Sequence, residues 1–103
     1  MKTKIKLDLH LSLIRLLLDT TFKNQIIVSK SPHQHLVQKL VSKCHQKFYK
    51  LLNENFNTKN SKIIKTTLNY EEAYALDLFL SKIDLEQEDE LISFSITLNQ
   101  KIQ

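Results

Sequence analysis

The first property of this 103-residue sequence is an absence: it contains no glycine, where about 7% is usual. Loops that cradle a phosphate or a dinucleotide need glycine, because their backbone must approach the ligand closely. Two-residue hairpin turns also favour glycine, because they require positive φ, although asparagine can replace it. The composition therefore excludes nucleotide-binding loops of these kinds and makes tight hairpins unexpected.

Cysteine, proline and tryptophan are scarce as well, with one, one and none. A single cysteine excludes an internal disulfide and favours a reducing compartment, so we expect a cytoplasmic protein. The sequence has no run of eighteen apolar residues, which predicts no membrane-spanning helix and no membrane partner. The lysine-rich start is not expected to act as a secretory signal, because Asp8, His10 and Arg15 interrupt the apolar stretch that follows it.

The residues that are present are typical of one folded domain, which we expect to span residues 1–103. Apolar residues make up 42% of the chain and charged residues 25%, and the length suffices for a single hydrophobic core. The net charge of +4 is unevenly divided, since residues 1–52 carry +8 and residues 53–103 carry −4. This asymmetry predicts either a basic surface suited to an acidic partner or two halves that neutralise each other.

The segment from Ser31 to Phe56 has the clearest pattern in the chain. Ser31 is a suitable N-cap, and Pro32 suits the first helical position, where its missing N–H costs nothing. We expect the longest helix of the protein here, with Leu40 in its core-facing seam. Its apolar residues recur at helical spacing within roughly 160° of one face. They are Leu36, Val37, Leu40, Val41, Cys44, Phe48, Leu51 and Leu52.

Before this helix, the residues from Ile5 to Leu13 alternate between apolar and polar, which favours a strand, whereas the later leucines fit a helical face. We expect a short strand at residues 3–7 and then a helix from about Leu9 to Thr21, with Asp8 as its N-cap. The connector that follows contains a second, shorter strand candidate at Gln25–Val28.

After the long helix, an asparagine-rich polar loop at residues 53–62 leads to a strand predicted at Ile63–Leu68. Asn69 with Glu72 three residues later is typical of a capped helix start, so we expect a helix over roughly Tyr70–Lys82. Its predicted core residues are Ala73, Leu76, Phe79 and Leu80.

The last stretch, residues 91–102, fits both a helical and an alternating pattern. An internal similarity favours the helix: LDLHLSLIRLLLD from Leu7 is similar to LNYEEAYALDLFL from Leu68, and CHQKF from Cys44 is similar to LNQKI from Leu98. The predicted fold class is therefore mainly α with minor β, with three or four helices and a short two-stranded sheet. The two halves are either divergent strand–helix–helix units or alike by chance.

Four lysines on one flank of the long helix are the best candidate for a binding site. They are Lys39, Lys43, Lys47 and Lys50. Over about 16 Å of helix, their ammonium groups would form a ridge that could track the phosphates of a polyanion. The structural alternative is an ordinary solvated flank whose lysine stems cover the edge of the core.

A cluster of acids before the last segment is the second candidate, as an interface with a basic protein surface. It comprises Glu86, Glu88, Asp89 and Glu90. The structural alternative is a helix N-terminus, where acids are electrostatically favoured. The cluster lacks the glycine and the ligand spacing of a calcium loop, so we expect no metal here.

The remaining candidates predict neither a cofactor nor catalysis. His33 and His35 are two residues apart and would point to different sides of a helix, and the pair Cys44–His45 lies well along the same helix. Cys44 also falls within the apolar arc, whereas reactive thiols need an accessible, electropositive setting.

We therefore expect a small non-catalytic binding protein that engages an acidic or nucleoprotein partner, such as a nucleic acid or a nucleic-acid-handling complex, through its basic helix. The alternative is an inhibitor or adaptor directed at a host nucleic-acid enzyme and encoded by a phage or mobile element, for which the small size and the Lys- and Asn-rich composition are suitable. A small hydrolase or metal enzyme is a distant third. The sequence does not indicate an oligomeric state.

Overall fold

A computed structural model of the chain describes residues 4–23, 31–59, 61–83, 85 and 88–103. Within these residues the prediction of a mainly α fold with a small sheet is confirmed, because four helices accompany two strands. In chain order the elements are β1 (Lys4–His10), α1 (Leu11–Lys23), α2 (Pro32–Glu54), β2 (Ile63–Asn69), α3 (Tyr70–Ser81) and α4 (Asp89–Ile102).

The two strands pair with each other as an antiparallel ribbon. Lys4 lies opposite Asn69 at one end and His10 lies opposite Ile63 at the other. Successive side chains of a strand point to opposite faces, so one face of the ribbon lies on the helices and the other faces solvent. The buried face is formed by Ile5, Leu7, Leu9, Ile64 and Leu68.

The order strand–helix–helix occurs twice, as the internal similarity of the sequence suggested. The offset along the chain from the start of β1 to the start of β2 equals the offset from α1 to α3. The two residues of the central pair of the ribbon, Leu7 and Thr66, are separated by this same number of residues. The pairing of the two strands is therefore unchanged when each residue is replaced by its equivalent in the other half. The alignment of Leu7 with Leu68 was wrong by two residues, because the structure makes Leu9 the equivalent of Leu68.

The first boundary also differs from the prediction, since β1 extends to His10 and α1 begins at Leu11. Pairing with β2 extends the strand, and its alternation of exposed and buried residues, beyond residue 7. Asp8 pairs with Lys65 within the strand ladder, so Asp8 cannot be the N-cap of α1. The N–H of Leu11 instead donates to the carbonyl of Lys62, at 3.1 Å. The proposed strand at Gln25–Val28 lies outside the described residues.

The long helix α2 begins as predicted. The backbone N–H of Gln34 donates to the Ser31 hydroxyl at 3.2 Å, and Pro32 occupies the first helical position. Leu36 was wrongly assigned to the core, since 54% of its surface is exposed. Val37, on the first turns of α2, lies beside the end of α3. Leu36 is about 100° away from Val37 around the helix, so Leu36 faces solvent.

The core seam of α2 therefore lies further along the helix than expected. Its buried residues are Val41, Cys44 and Phe48, whereas Leu40 is only half-buried. On α3 three of the four predicted core residues are buried, and Phe79 is half-buried. These helices pack into one hydrophobic cluster with α1 and the ribbon.

The ambiguous last stretch forms the helix α4. Leu91, Phe94 and Leu98 are buried at helical spacing, while Ile92 and Ile96 are exposed. A strand would have placed Ile92, Phe94 and Ile96 on one face, so the burial pattern decides between the two periodicities. None of the helices in the described ranges combines the length and the apolar character needed to cross a membrane.

We expect Phe48→Ala to lower the free energy of unfolding by about 3–5 kcal/mol, because it removes a large, fully buried side chain and leaves a cavity. Tyr49→Ala, one residue further on and 56% exposed, is the matched control and should change stability by less than about 0.5 kcal/mol. Urea unfolding followed by circular dichroism measures both. Equal losses for the two variants would contradict the assignment of the seam.

Candidate functional site

Three of the four lysines on α2 form an exposed row. Lys39, Lys43 and Lys50 are all exposed. At 100° per residue they fall within about 40° of one another around the helix, and they extend over about 16 Å along its axis. We call Lys39, Lys43 and Lys50 the α2 ridge.

Lys47 has a different environment, because its ammonium group is 2.7 Å from the Oε1 atom of Glu72. The Glu72 side chain is only 5% exposed, and the same oxygen accepts the backbone N–H of Asn69 at 2.9 Å. This carboxylate therefore joins α2 to the start of α3 and completes the predicted capping interaction. Helical periodicity puts Lys47 closer to the apolar face of α2 than the other three lysines, but it does not indicate this partner.

Cys44 lies beside this ion pair and is fully buried, as the sequence predicted. Its Sγ donates to the backbone carbonyl of Glu72, at 3.5 Å. Burial and, to a lesser extent, the nearby Glu72 carboxylate raise the pKa of the Cys44 thiol to about 12. The thiol therefore stays protonated at neutral pH, which is unsuited to a nucleophile and suits a packing role.

The histidines do not converge on one site. His45 Nδ1 lies 2.6 Å from the Thr21 hydroxyl of α1, and His10 Nδ1 lies 3.1 Å from the carbonyl of Ser61. His33 and His35 are exposed in the first turn of α2. Over the described parts of the chain, no three His, Cys, Asp or Glu side chains are grouped so that they could hold a metal ion.

The acidic cluster occupies the start of α4. Glu88 is the N-cap residue, Asp89 and Glu90 lie in the first turn, and all three are exposed, whereas Glu86 lies outside the described residues. Glu90 also accepts a hydrogen bond from the Ser12 hydroxyl, at 3.3 Å. These positions suit the positive end of the helix dipole.

A groove of about 500 Å³ runs between β1 and α4, next to this cluster. Asp89 and Glu90 line it together with residues of the strand and with Ser93 and Thr97. Lys101, at the far end of α4, donates to the backbone carbonyl of Lys6 at 2.7 Å and so attaches α4 to the edge of the ribbon.

The solvent face of the ribbon is a second basic surface, and sequence reasoning did not single it out. Its side chains are Lys4, Lys6, Asp8, His10, Ile63, Lys65, Thr67 and Asn69, all exposed. The feature of the sequence that could have indicated this surface was the alternation of lysines with Ile5 and Leu7 in β1. Alternation alone could not show that Lys65 of a distant strand lies on the same face.

Comparison with known proteins adds no assignment, because no family model, no curated protein and no solved structure matches this chain. The features that bear on function are therefore those of its own residues. Within the described structure these comprise two exposed basic surfaces and one exposed acidic helix start. Charged surfaces of this kind can attract partners of opposite charge.

We expect Lys47→Met to lower stability by about 1–3 kcal/mol, because the buried Glu72 carboxylate loses its charged hydrogen-bond donor. Lys43→Met, on the exposed row of the same helix, is the matched control and should cost less than about 0.5 kcal/mol. Chemical denaturation measures both. If the two variants were equally stable, the ion pair would contribute nothing to the fold.

The buried thiol predicts a specific dependence of stability on pH. In the unfolded chain Cys44 ionises near its ordinary pKa of 9.0, whereas in the folded protein its pKa is about 12. Stability should therefore fall as the pH rises through about 9, since the unfolded state releases its proton first.

The variant Cys44→Ala has no thiol and therefore lacks this contribution to the pH dependence of stability. The stability of the wild type relative to the variant should therefore decrease by about 1–2 kcal/mol between pH 8 and pH 10. Other groups that titrate in this range are common to both proteins and cancel in the difference. Denaturation curves at the two pH values measure it. A difference that stays constant would mean that the thiol is accessible to water.

Proposed function

We propose that this protein is a non-catalytic, cytoplasmic binding protein that engages a polyanionic partner, a nucleic acid or a nucleoprotein, through the α2 ridge. The observation that carries the proposal is the exposed row of Lys39, Lys43 and Lys50. Ammonium groups spaced along about 16 Å of helix can each neutralise a phosphate and release its counterions.

The sequence of α2 supports a role for this row beyond solubility. The helix carries no acid before Glu54, so none of its own residues can form an i,i+4 ion pair with Lys39 or Lys43. Lys39 and Lys43 are themselves spaced i,i+4, and like charges at this spacing destabilise a helix by a few tenths of a kcal/mol. A polyanion bound along the ridge would relieve this repulsion.

The second candidate is an inhibitor or adaptor that binds a nucleic-acid enzyme through its acidic surface. The specific observation that favours it is the position of Glu88, Asp89 and Glu90 at the start of α4, beside the groove along β1. Carboxylates on a helix start can occupy a basic groove of another protein by resembling a phosphate backbone. An origin in a phage or mobile element belongs to this candidate.

Reversing the charge of the ridge tests the first candidate. We expect the variant with Lys39→Glu, Lys43→Glu and Lys50→Glu to remain folded, since all three side chains are exposed. Its affinity for duplex nucleic acid or heparin should fall at least tenfold. The log–log dependence of affinity on salt should flatten by about one unit for each lost phosphate contact. Fluorescence anisotropy at several salt concentrations measures both quantities.

The matched control reverses Arg15, Lys59 and Lys82, which are exposed on three different segments and change the net charge by the same amount. A ridge-specific interface predicts a much smaller loss for this control. Equal losses would indicate only non-specific attraction to the overall charge. If the ridge variant binds its protein partner normally while reversal of Glu88, Asp89 and Glu90 abolishes binding, the second candidate replaces the first.

A further inference from the structure

The solvent face of the ribbon has no covering element in the described structure, although it belongs to the only sheet found there. Every second residue of β1 and of β2 is exposed on it, from Lys4 to His10 and from Ile63 to Asn69. Lysine on the exposed face of such a ribbon also serves solubility and protects strand edges from pairing with other chains. A binding role for this face therefore has to be supported by its charge and its shape.

The charge of the face is complementary to a polyanion. Three lysines, Lys4, Lys6 and Lys65, stand against one acid, Asp8. Thr67 and Asn69 add neutral side chains that can donate and accept hydrogen bonds. Lysine, threonine and asparagine are among the residues that contact base edges and phosphates.

The shape of the ribbon selects one kind of polyanion. Seven residues per strand give a length of about 20 Å, and two strands lie about 4.8 Å apart. The major groove of B-form DNA, about 12 Å wide and 8.5 Å deep, admits a two-stranded ribbon of this kind. The major groove of A-form RNA is too narrow for side chains to read, so the fit favours duplex DNA.

We infer that the ribbon enters the major groove of duplex DNA with its solvent face towards the bases, with Lys6 and Lys65 as its central hydrogen-bond donors. This inference rests on the proposed function, because it names the partner as duplex DNA. The ribbon is then a second contact element besides the α2 ridge. The ridge contacts phosphates, and the ribbon reads base edges.

The register of the ladder gives Lys6 and Lys65 equivalent places. They occupy matching positions in the two strands and flank the central pair of Leu7 and Thr66 from opposite sides. As diagonal neighbours across the strands, their Cβ atoms are about 7–8 Å apart. This separation corresponds to about two base steps of 3.4 Å, and lysine commonly donates to the O6 and N7 atoms of guanine.

The outer positions of the two strands are unequal. Lys4 is equivalent to Ile63 as the first residue of its strand, and His10 is equivalent to Asn69 as the last. A symmetric dimer reads a palindrome because its two halves are identical. A ribbon with one central lysine pair and unlike ends should instead select a site without palindromic symmetry.

The test compares binding of wild type and variants to a fluorescein-labelled 20-bp DNA duplex of random sequence and to an RNA duplex of the same length. Replacing both Lys6 and Lys65 with glutamine should weaken DNA binding at least tenfold, since it removes both central donors. The matched control replaces Arg15 and Lys82 with glutamine, which removes the same charge from exposed positions outside both strands, and should lower affinity less than threefold.

The variant Asp8→Asn should change the affinity for DNA in the opposite direction. Asp8 is directly opposite Lys65 and two residues from Lys6 on the same face. Its carboxylate competes with the base-edge acceptors of the DNA for both lysines, so the variant should bind DNA about threefold more tightly. A protein that used only the α2 ridge would show a much smaller gain, from the change in net charge alone.

The outcomes separate this inference from the proposed function. If wild type binds neither duplex, the proposal of a nucleic-acid partner fails, and the ribbon inference fails with it. If the ridge reversal abolishes binding but the Lys6/Lys65 and Asp8 variants bind like wild type, the polyanion function stands and the ribbon inference is overturned. Preference for RNA, or capture of a protein partner through the ribbon face alone, also overturns it.

Selection from a random DNA library supplies an independent readout. Wild type should enrich a non-palindromic site with guanines near its centre, and the variant lacking Lys6 and Lys65 should lose that central preference while retaining the weaker outer ones. Recovery of a perfect palindrome, or of no preference at all, would contradict base reading by this face.

Discussion

The antiparallel pairing of β1 and β2 is the interaction on which the rest of the structure depends. It joins segments from the two halves of the chain and fixes both of the helices that follow directly from the strands. Because side chains alternate in a strand, the same ladder places Ile5, Leu7 and Leu9 in the core and the intervening Lys6 and Asp8 in solvent. A register shift of one residue would exchange these two faces, so core formation specifies the register.

A polar contact inside the helical layer complements the ladder. The Glu72 carboxylate, nearly inaccessible to water, accepts from both Lys47 and the backbone of Asn69, where β2 passes into α3. Buried charges persist when they are paired and hydrogen-bonded. This contact ties α2, from the first half of the chain, to the strand–helix junction of the second half, and it gives the ammonium group of Lys47 a partner within the fold.

The charge asymmetry of the sequence becomes a spatial arrangement in the folded protein. Lysines of α2 form one exposed ridge, and lysines from both strands share the solvent face of the ribbon. The acids of the second half start α4, where the helix dipole favours them. In the DNA binding that we propose, the α2 ridge would contact phosphates and the solvent face of the ribbon would contact base edges.

The sequence by itself determined the local structure, because local structure depends on neighbouring residues and on periodicity. These features are the capped starts of α2 and α3, the two alternating strands and the burial of Cys44. Only the tertiary structure decided the end of β1, the exposure of Leu36 and the helical form of residues 91–102, since strand pairing and helix packing select between patterns that are locally equal. It also decided the partner of Lys47 and the common face of Lys6 and Lys65. Both depend on contacts between residues far apart in the chain, which local periodicity does not encode.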